Sequence, residues 1–155
     1  MKRIYYIIGR IIEKTQLTES LLGDVVKYCE IYNEYARHKT GFNKKDYDNA
    51  VSSAEYLKTK METMTLGSVV HVIWETRAFT RAEIDELKFI LERRNYFVHE
   101  YFKYTPFDEI SKNETELVEE YNALKEYYLR LETFYKKAEI YLKSYKQKCE
   151  RIIVN

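Results

Sequence analysis

Ile84-Asp85-Glu86-Leu87-Lys88-Phe89-Ile90-Leu91-Glu92-Arg93-Arg94-Asn95-Tyr96-Phe97-Val98-His99-Glu100-Tyr101-Phe102 is the stretch on which the fold turns. Wound as a helix at about 100° per residue, it sets Ile84, Leu87, Ile90, Leu91, Phe97, Val98, Tyr101 and Phe102 on one apolar arc. Arg94 breaks the pattern, falling near the middle of that arc. A guanidinium stays charged at every ordinary pH and is seldom buried unless an anion or a set of acceptors meets it. Two arrangements satisfy it. Either a carboxylate such as Asp24, Asp85 or Glu13 waits inside the fold, or the stripe faces a partner or ligand.

Working outward, the rest of the chain reads as helix too. Apolar positions recur at helical spacing from about Arg3 to Arg37, stopping in His38-Lys39-Thr40-Gly41-Phe42-Asn43. Asp46 or Asp48 opens a second helix through about Thr63, and Ser68–Trp74 makes a short apolar one in which His71 and Trp74 are expected in the core. Thr80-Arg81-Ala82-Glu83 is a capping box ahead of the quoted stretch, which is expected to end near Tyr104 because Pro106 disfavours helix at Thr105. Ser111-Lys112-Asn113-Glu114 is a second capping box, and the last helix runs to about Glu150. No segment has the period of a strand. The expected architecture is all-α, an antiparallel bundle of four long helices plus a short fifth.

The chain has 155 residues, 45% of them hydrophobic and 33% charged, with only 4 Gly and 1 Pro, which suits one helical domain over residues 1–155 and argues against sandwiches, barrels or disorder. Its 16 tyrosines are expected to pack their rings in the interior and send the hydroxyl to the edge. A net charge of +1 gives no field that would draw in nucleic acid, so any polyanion site is local or made by dimerisation. The last helix is expected to open with Glu109, Glu114, Glu116, Glu119 and Glu120 and to close with Lys136, Lys137, Lys143, Lys146, Lys148 and Arg151, complementing the helix dipole. Cys29 and Cys149 belong to no redox or zinc motif, which fits a reducing cytoplasm. The apolar run Ile4–Ile8 is broken by Gly9-Arg10 and reads as the first turns of a helix, and nothing approaches the roughly 20 apolar residues of a membrane span.

Chemistry concentrates near the end of the quoted stretch. Asn95 lies one turn before His99, where its amide can hold the imidazole, and Arg94 and Tyr101 share a stripe. A guanidinium, an imidazole, an amide and a phenol within about two turns suit a phosphodiester, with arginine gripping the non-bridging oxygens and histidine moving protons, with no metal needed.

Arg94-Asn95-Tyr96-Phe97-Val98-His99, extended through Glu100 to Tyr101, resembles the Arg-x4-6-His motif of the HEPN domain family, and in its Arg-x4-His-x-Tyr form the toxins of HEPN/MNT toxin–antitoxin pairs. The specific likeness covers about residues 80–104. It implies a metal-independent endoribonuclease without a cofactor, acting as a homodimer that sets Arg94 and His99 of both subunits around one cleft, with the head of Arg94 held at a two-fold seam opposite its own copy and not neutralised inside one subunit. RNA would be cut by attack of the 2′-hydroxyl on the adjacent phosphate. His99 would serve as acid or base, Arg94 would hold the phosphate, and Asn95 would position the pair. The resemblance further implies a toxin or antiphage effector in the cytoplasm, silenced by a nucleotidyltransferase antitoxin that attaches AMP to the motif tyrosine, here Tyr101. A second reading is a HEPN-like dimerisation or nucleotide-binding module without nuclease activity, serving a nucleotidyltransferase. A third is an unrelated bundle whose Arg94 is an ordinary ion-pair residue and whose Tyr101 is core.

Overall fold

A computed structural model describes residues 1–38 and 40–155, and among them are seven helices and no strand. They are α1 (Lys2–Arg37), α2 (Lys44–Met61), α3 (Leu66–Thr76), α4 (Arg81–His99), α5 (Tyr101–Tyr104), α6 (Phe107–Ile110) and α7 (Glu114–Glu150). α1 is the organising element, packing most extensively on α7 and α2 and touching α3 and α4. It buries Ile4, Ile7, Ile8, Ile11, Leu22, Val25, Val26 and Cys29, the three-and-four spacing of a helix with one covered face. The hydroxyls of Thr15 and Thr18 on that face donate to the carbonyls of Ile11 and Lys14 at 2.7 Å, so both are buried without an unmet donor. Ile73 of α3, Leu87, Ile90 and Leu91 of α4, and Leu131 and Phe134 of α7 complete the interior.

The helix boundaries follow local chemistry, and several differ from expectation. Lys39, in the first expected break, lies outside the described residues. Gly41 has φ +78, which admits the turn, and α2 is capped by Asn43, not by Asp46 or Asp48. The Asn43 side chain accepts from the Asp46 N–H at 2.9 Å while the Asp46 carboxylate accepts from the Asn43 N–H at 3.0 Å, a reciprocal cap that places Asp46 three residues inside. At α7, Ser111 turns its hydroxyl to the carbonyl of Asp108 and Asn113 does the capping, accepting from Thr115 and Glu116. α3 is longer than expected and lies at the edge. His71 is exposed beside Glu75, and Trp74 is 47% exposed, so neither is a core residue.

α4 begins at the expected box, with the Thr80 hydroxyl accepting from the Glu83 N–H and the Glu83 carboxylate from the Thr80 N–H. It ends at His99, not near Tyr104. Glu100, at φ −128 and ψ −23, breaks the ladder, and α5 restarts as a single turn before Pro106. The break accompanies the sinking of Tyr101 into a cluster of rings. α6 fills the expected linker.

Several tyrosines send the hydroxyl to an acceptor at the edge of the interior. Tyr127 donates to the carbonyl of Ile90 at 2.8 Å, and Tyr141 donates to the Glu83 carboxylate at 2.7 Å. That last pair makes a stability prediction. Burial pushes the Glu83 carboxyl up, but hydrogen bonds from Thr80 and Tyr141 outweigh it and hold the group below its ordinary value. The same bond, with burial, pushes the Tyr141 phenol up to about 12. A depressed acid contributes stability above its unfolded value, about 4.3, and loses it as pH falls through the lower folded one. A raised phenol contributes below its unfolded value, about 10, and loses it as pH rises from there to the folded one. Tyr141→Phe is therefore expected to cost about 1–2 kcal/mol at neutral pH, by thermal melting. The gap should close in strong acid and again above about pH 10; a pH-independent gap would show that the hydrogen bond is not its source.

Candidate active site

α4 carries the motif from a covered middle to an open end. Leu87, Ile90 and Leu91 are buried, Arg94, Asn95 and Tyr96 are half-buried, Phe97 is buried again, and Val98, His99 and Glu100 are exposed. Arg94 does stand on the apolar stripe, one turn after Leu91, and there it meets α1. Its Nη2 pairs with the Glu19 carboxylate of the same chain, while its Nε is buried without a hydrogen-bond partner. The expectation of a cationic head left un-neutralised for a symmetry copy is corrected: α1 crosses close enough to supply the acid. Glu19 was not among the candidate acids; of those, Asp24 is taken by Lys58, and Glu13 and Asp85 are exposed. The pair is not sealed away. It borders a groove of about 320 Å³ between α1, α2 and the start of α3, lined also by Ser20, Lys58, Met61 and Leu66.

His99 is the last residue of α4, exposed, and without a hydrogen-bond partner among the described residues. No hydrogen bond joins Asn95 to it there. Five residues of helix separate Arg94 from His99, about 7.5 Å of rise and 140° of rotation, so one chain presents them on different sides. The imidazole emerges among exposed apolar groups. Val98 is its neighbour, and Tyr5 of α1 stacks on Phe102 of α5 with ring centroids 6.2 Å apart, all three side chains more than half exposed.

Tyr101 is 2% exposed and ringed by Tyr96, Phe97, Phe102 and Phe107. Its hydroxyl donates to the Glu120 carboxylate at 2.6 Å, and burial together with that acid pushes the phenol far above its ordinary range. Beyond it lies a cluster that sequence reasoning passed over. Arg130 stacks 3.8 Å over the Phe89 ring and grips Glu86 through Nε at 2.9 Å and Nη2 at 2.7 Å. Arg93 sits 5.8 Å from the ring centres of both Phe89 and Tyr96, exposed, with no carboxylate paired to it among the described residues. The signal for this group was Phe89, Arg93 and Tyr96 at three-and-four spacing on the face of α4 away from Arg94.

Among the described residues no group of three His, Cys, Asp or Glu is placed to hold a metal ion, and no helix is long and apolar enough to cross a membrane. No protein-family profile matches the chain, and no curated protein or solved structure does.

Proposed function

We propose that this chain is a HEPN-type endoribonuclease that works as a homodimer, its long helices arranged as an antiparallel bundle, and that it cuts RNA in the cytoplasm as a toxin or antiphage effector. The observation that carries the reading is the open end of α4, where His99 is exposed and unpartnered beside the uncovered Tyr5, Val98 and Phe102. A second copy laid on that surface buries the apolar groups and answers the separation of Arg94 from His99 within one chain, because each subunit can complete the other's set. In this arrangement Arg94 exchanges Glu19 for an RNA phosphate and stabilises its charge. His99 takes the proton from the 2′-hydroxyl or gives one to the leaving 5′-oxygen, and Asn95, unbonded to the imidazole within one chain among the described residues, positions the pair once the dimer assembles. The 2′-oxygen–phosphorus bond forms as the 5′-oxygen–phosphorus bond breaks, leaving a cyclic phosphate. Silencing by a nucleotidyltransferase would attach AMP to Tyr101 with loss of pyrophosphate, and it would first require the ring to leave its seat, because Tyr101 is 2% exposed and its hydroxyl is held by Glu120.

Purified protein is expected to cleave single-stranded RNA in EDTA, leaving 2′,3′-cyclic phosphate ends, and to run as a dimer by light scattering. Loss of cleavage on chelation, or a monomer that cuts at the same rate, would overturn the reading. The Arg94–Glu19 pair favours one alternative, a HEPN-like dimerisation or nucleotide-binding module without nuclease activity, and a stable dimer that leaves RNA intact would select it.

A further inference from the structure

The face of α4 opposite the Arg94 groove carries a recess of about 510 Å³ between α4, the α5–Pro106 turn and α7. Its composition is unusual for a surface hollow. Phe89, Tyr96, Phe97, Tyr101, Tyr104 and Tyr127 all line it, with Arg93, Arg130, Glu120 and Glu126 supplying the charge. Much of this is explained by the fold. Arg130 is spent on Glu86 and Phe89, Tyr127 on the carbonyl of Ile90, and Tyr101 on Glu120.

Four groups remain unspent, one of them the exposed Glu126, which has no hydrogen bond or ion pair among the described residues. Tyr104 is 68% exposed, and no other ring packs against it among the described residues. Arg93 is held by two aromatic faces, and among the described residues no acid pairs with its N–H donors. Glu120 accepts the Tyr101 hydroxyl through Oε1, and among the described residues nothing donates to its Oε2.

We propose that this recess is the subsite for one nucleobase of single-stranded RNA, stacked on Tyr104 and Tyr96 with its N–H edge toward Glu120 and the adjoining phosphate on Arg93. The inference rests on the ribonuclease reading and adds to it how a strand is held beside the scissile bond. The charges select this occupant. An exposed arginine at the mouth attracts an anion, whereas a half-buried carboxylate within repels one and accepts from N–H groups. A planar ring bearing N–H donors and joined to a phosphate meets both demands; free phosphate meets one and a purely apolar ligand neither. Aromatic faces stack any base with little sequence demand, and an arginine beside them adds to the hold. Tyr96 lies three residues before His99, neighbours on the helix surface, so a base seated here presents its backbone next to the imidazole.

The test is binding of a fluorescein-labelled single-stranded oligoribonucleotide, followed by anisotropy in the full-length His99→Ala protein so that cleavage does not intervene. Adding Tyr104→Ala is expected to weaken binding about tenfold or more, the usual scale of a lost stacking platform. Tyr104→Phe should preserve it, because the ring and not the hydroxyl carries the contact. Arg93→Ala should weaken binding and reduce the salt slope by about one phosphate contact. Tyr56→Ala, at an equally exposed tyrosine on α2, should change nothing. RNA binding unaltered by Tyr104→Ala and Arg93→Ala overturns the subsite, and if the parent still cuts RNA the ribonuclease reading survives it. Binding that depends on Tyr104 in a protein whose parent never cuts RNA keeps the subsite and removes the nuclease. No binding of RNA by any form overturns the subsite as well.

Discussion

His99→Ala should slow RNA cleavage by about 10²–10⁴-fold, the scale of a lost general acid or base, with the circular dichroism spectrum and the dimer unchanged. The substitution is clean because His99 is exposed, ends its helix and its imidazole makes no hydrogen bond among the described residues, so its structural cost should stay within about 0.5 kcal/mol. Arg94→Ala is expected to abolish cleavage as well, but less cleanly. It strips Glu19 of its partner and leaves a carboxylate oxygen buried between α1 and α4. A buried acceptor left unmet costs about 1–3 kcal/mol, so loss of activity in that variant must be read beside its melting curve. Single-turnover cleavage in EDTA measures both effects. A His99→Ala protein that cuts as fast as the parent would remove the catalytic assignment, whatever Arg94 does.

Leu87→Ala is expected to cost about 2–5 kcal/mol, a large part of the roughly 5–15 kcal/mol that holds a domain of this size. Leu87 is 0% exposed at the middle of α4, where it belongs to the same interior as Ile90, Leu131 and Phe134. Removing three carbons there leaves a hole that α1 and α7 can close only by moving long helices. Val98→Ala, on the exposed end of the same helix, is the internal contrast and should cost little in the monomer. Urea unfolding with an unchanged m-value measures both. A Leu87→Ala penalty below about 1 kcal/mol would mean that this part of α4 is not packed as described.

Much of α4 was legible in its own residues. The arc of Ile84, Leu87, Ile90 and Leu91 and the Thr80–Glu83 box are local patterns, and they survive because helix period and cap chemistry act within a few residues. The break at Glu100 was not legible, since it accompanies the seating of Tyr101 against Glu120, nineteen positions away. His71 and Trp74 were misread for a related reason. Periodicity says that α3 has an apolar side but not whether another element covers it. Asn43 lost to Asp46 in the reading because both are good capping residues and the reciprocal bond decides between them. At the site, the oddness of Arg94 on its stripe was plain from the residues, whereas its partner was not. Glu19 lies on another helix, and nothing in its neighbourhood of sequence marks it as the residue that α1 turns toward α4.

That pairing bears on how the protein would meet its ligand. An arginine already joined to an acid brings no net positive charge to an encounter, so a strand arriving there swaps one anion for another. Little of the entropy normally gained from shedding condensed counterions is available at that contact. Discrimination at Arg94 then rests on fork geometry against the two non-bridging oxygens of a phosphodiester and not on long-range attraction, and raising the ionic strength would weaken this hold less than it weakens the one at Arg93.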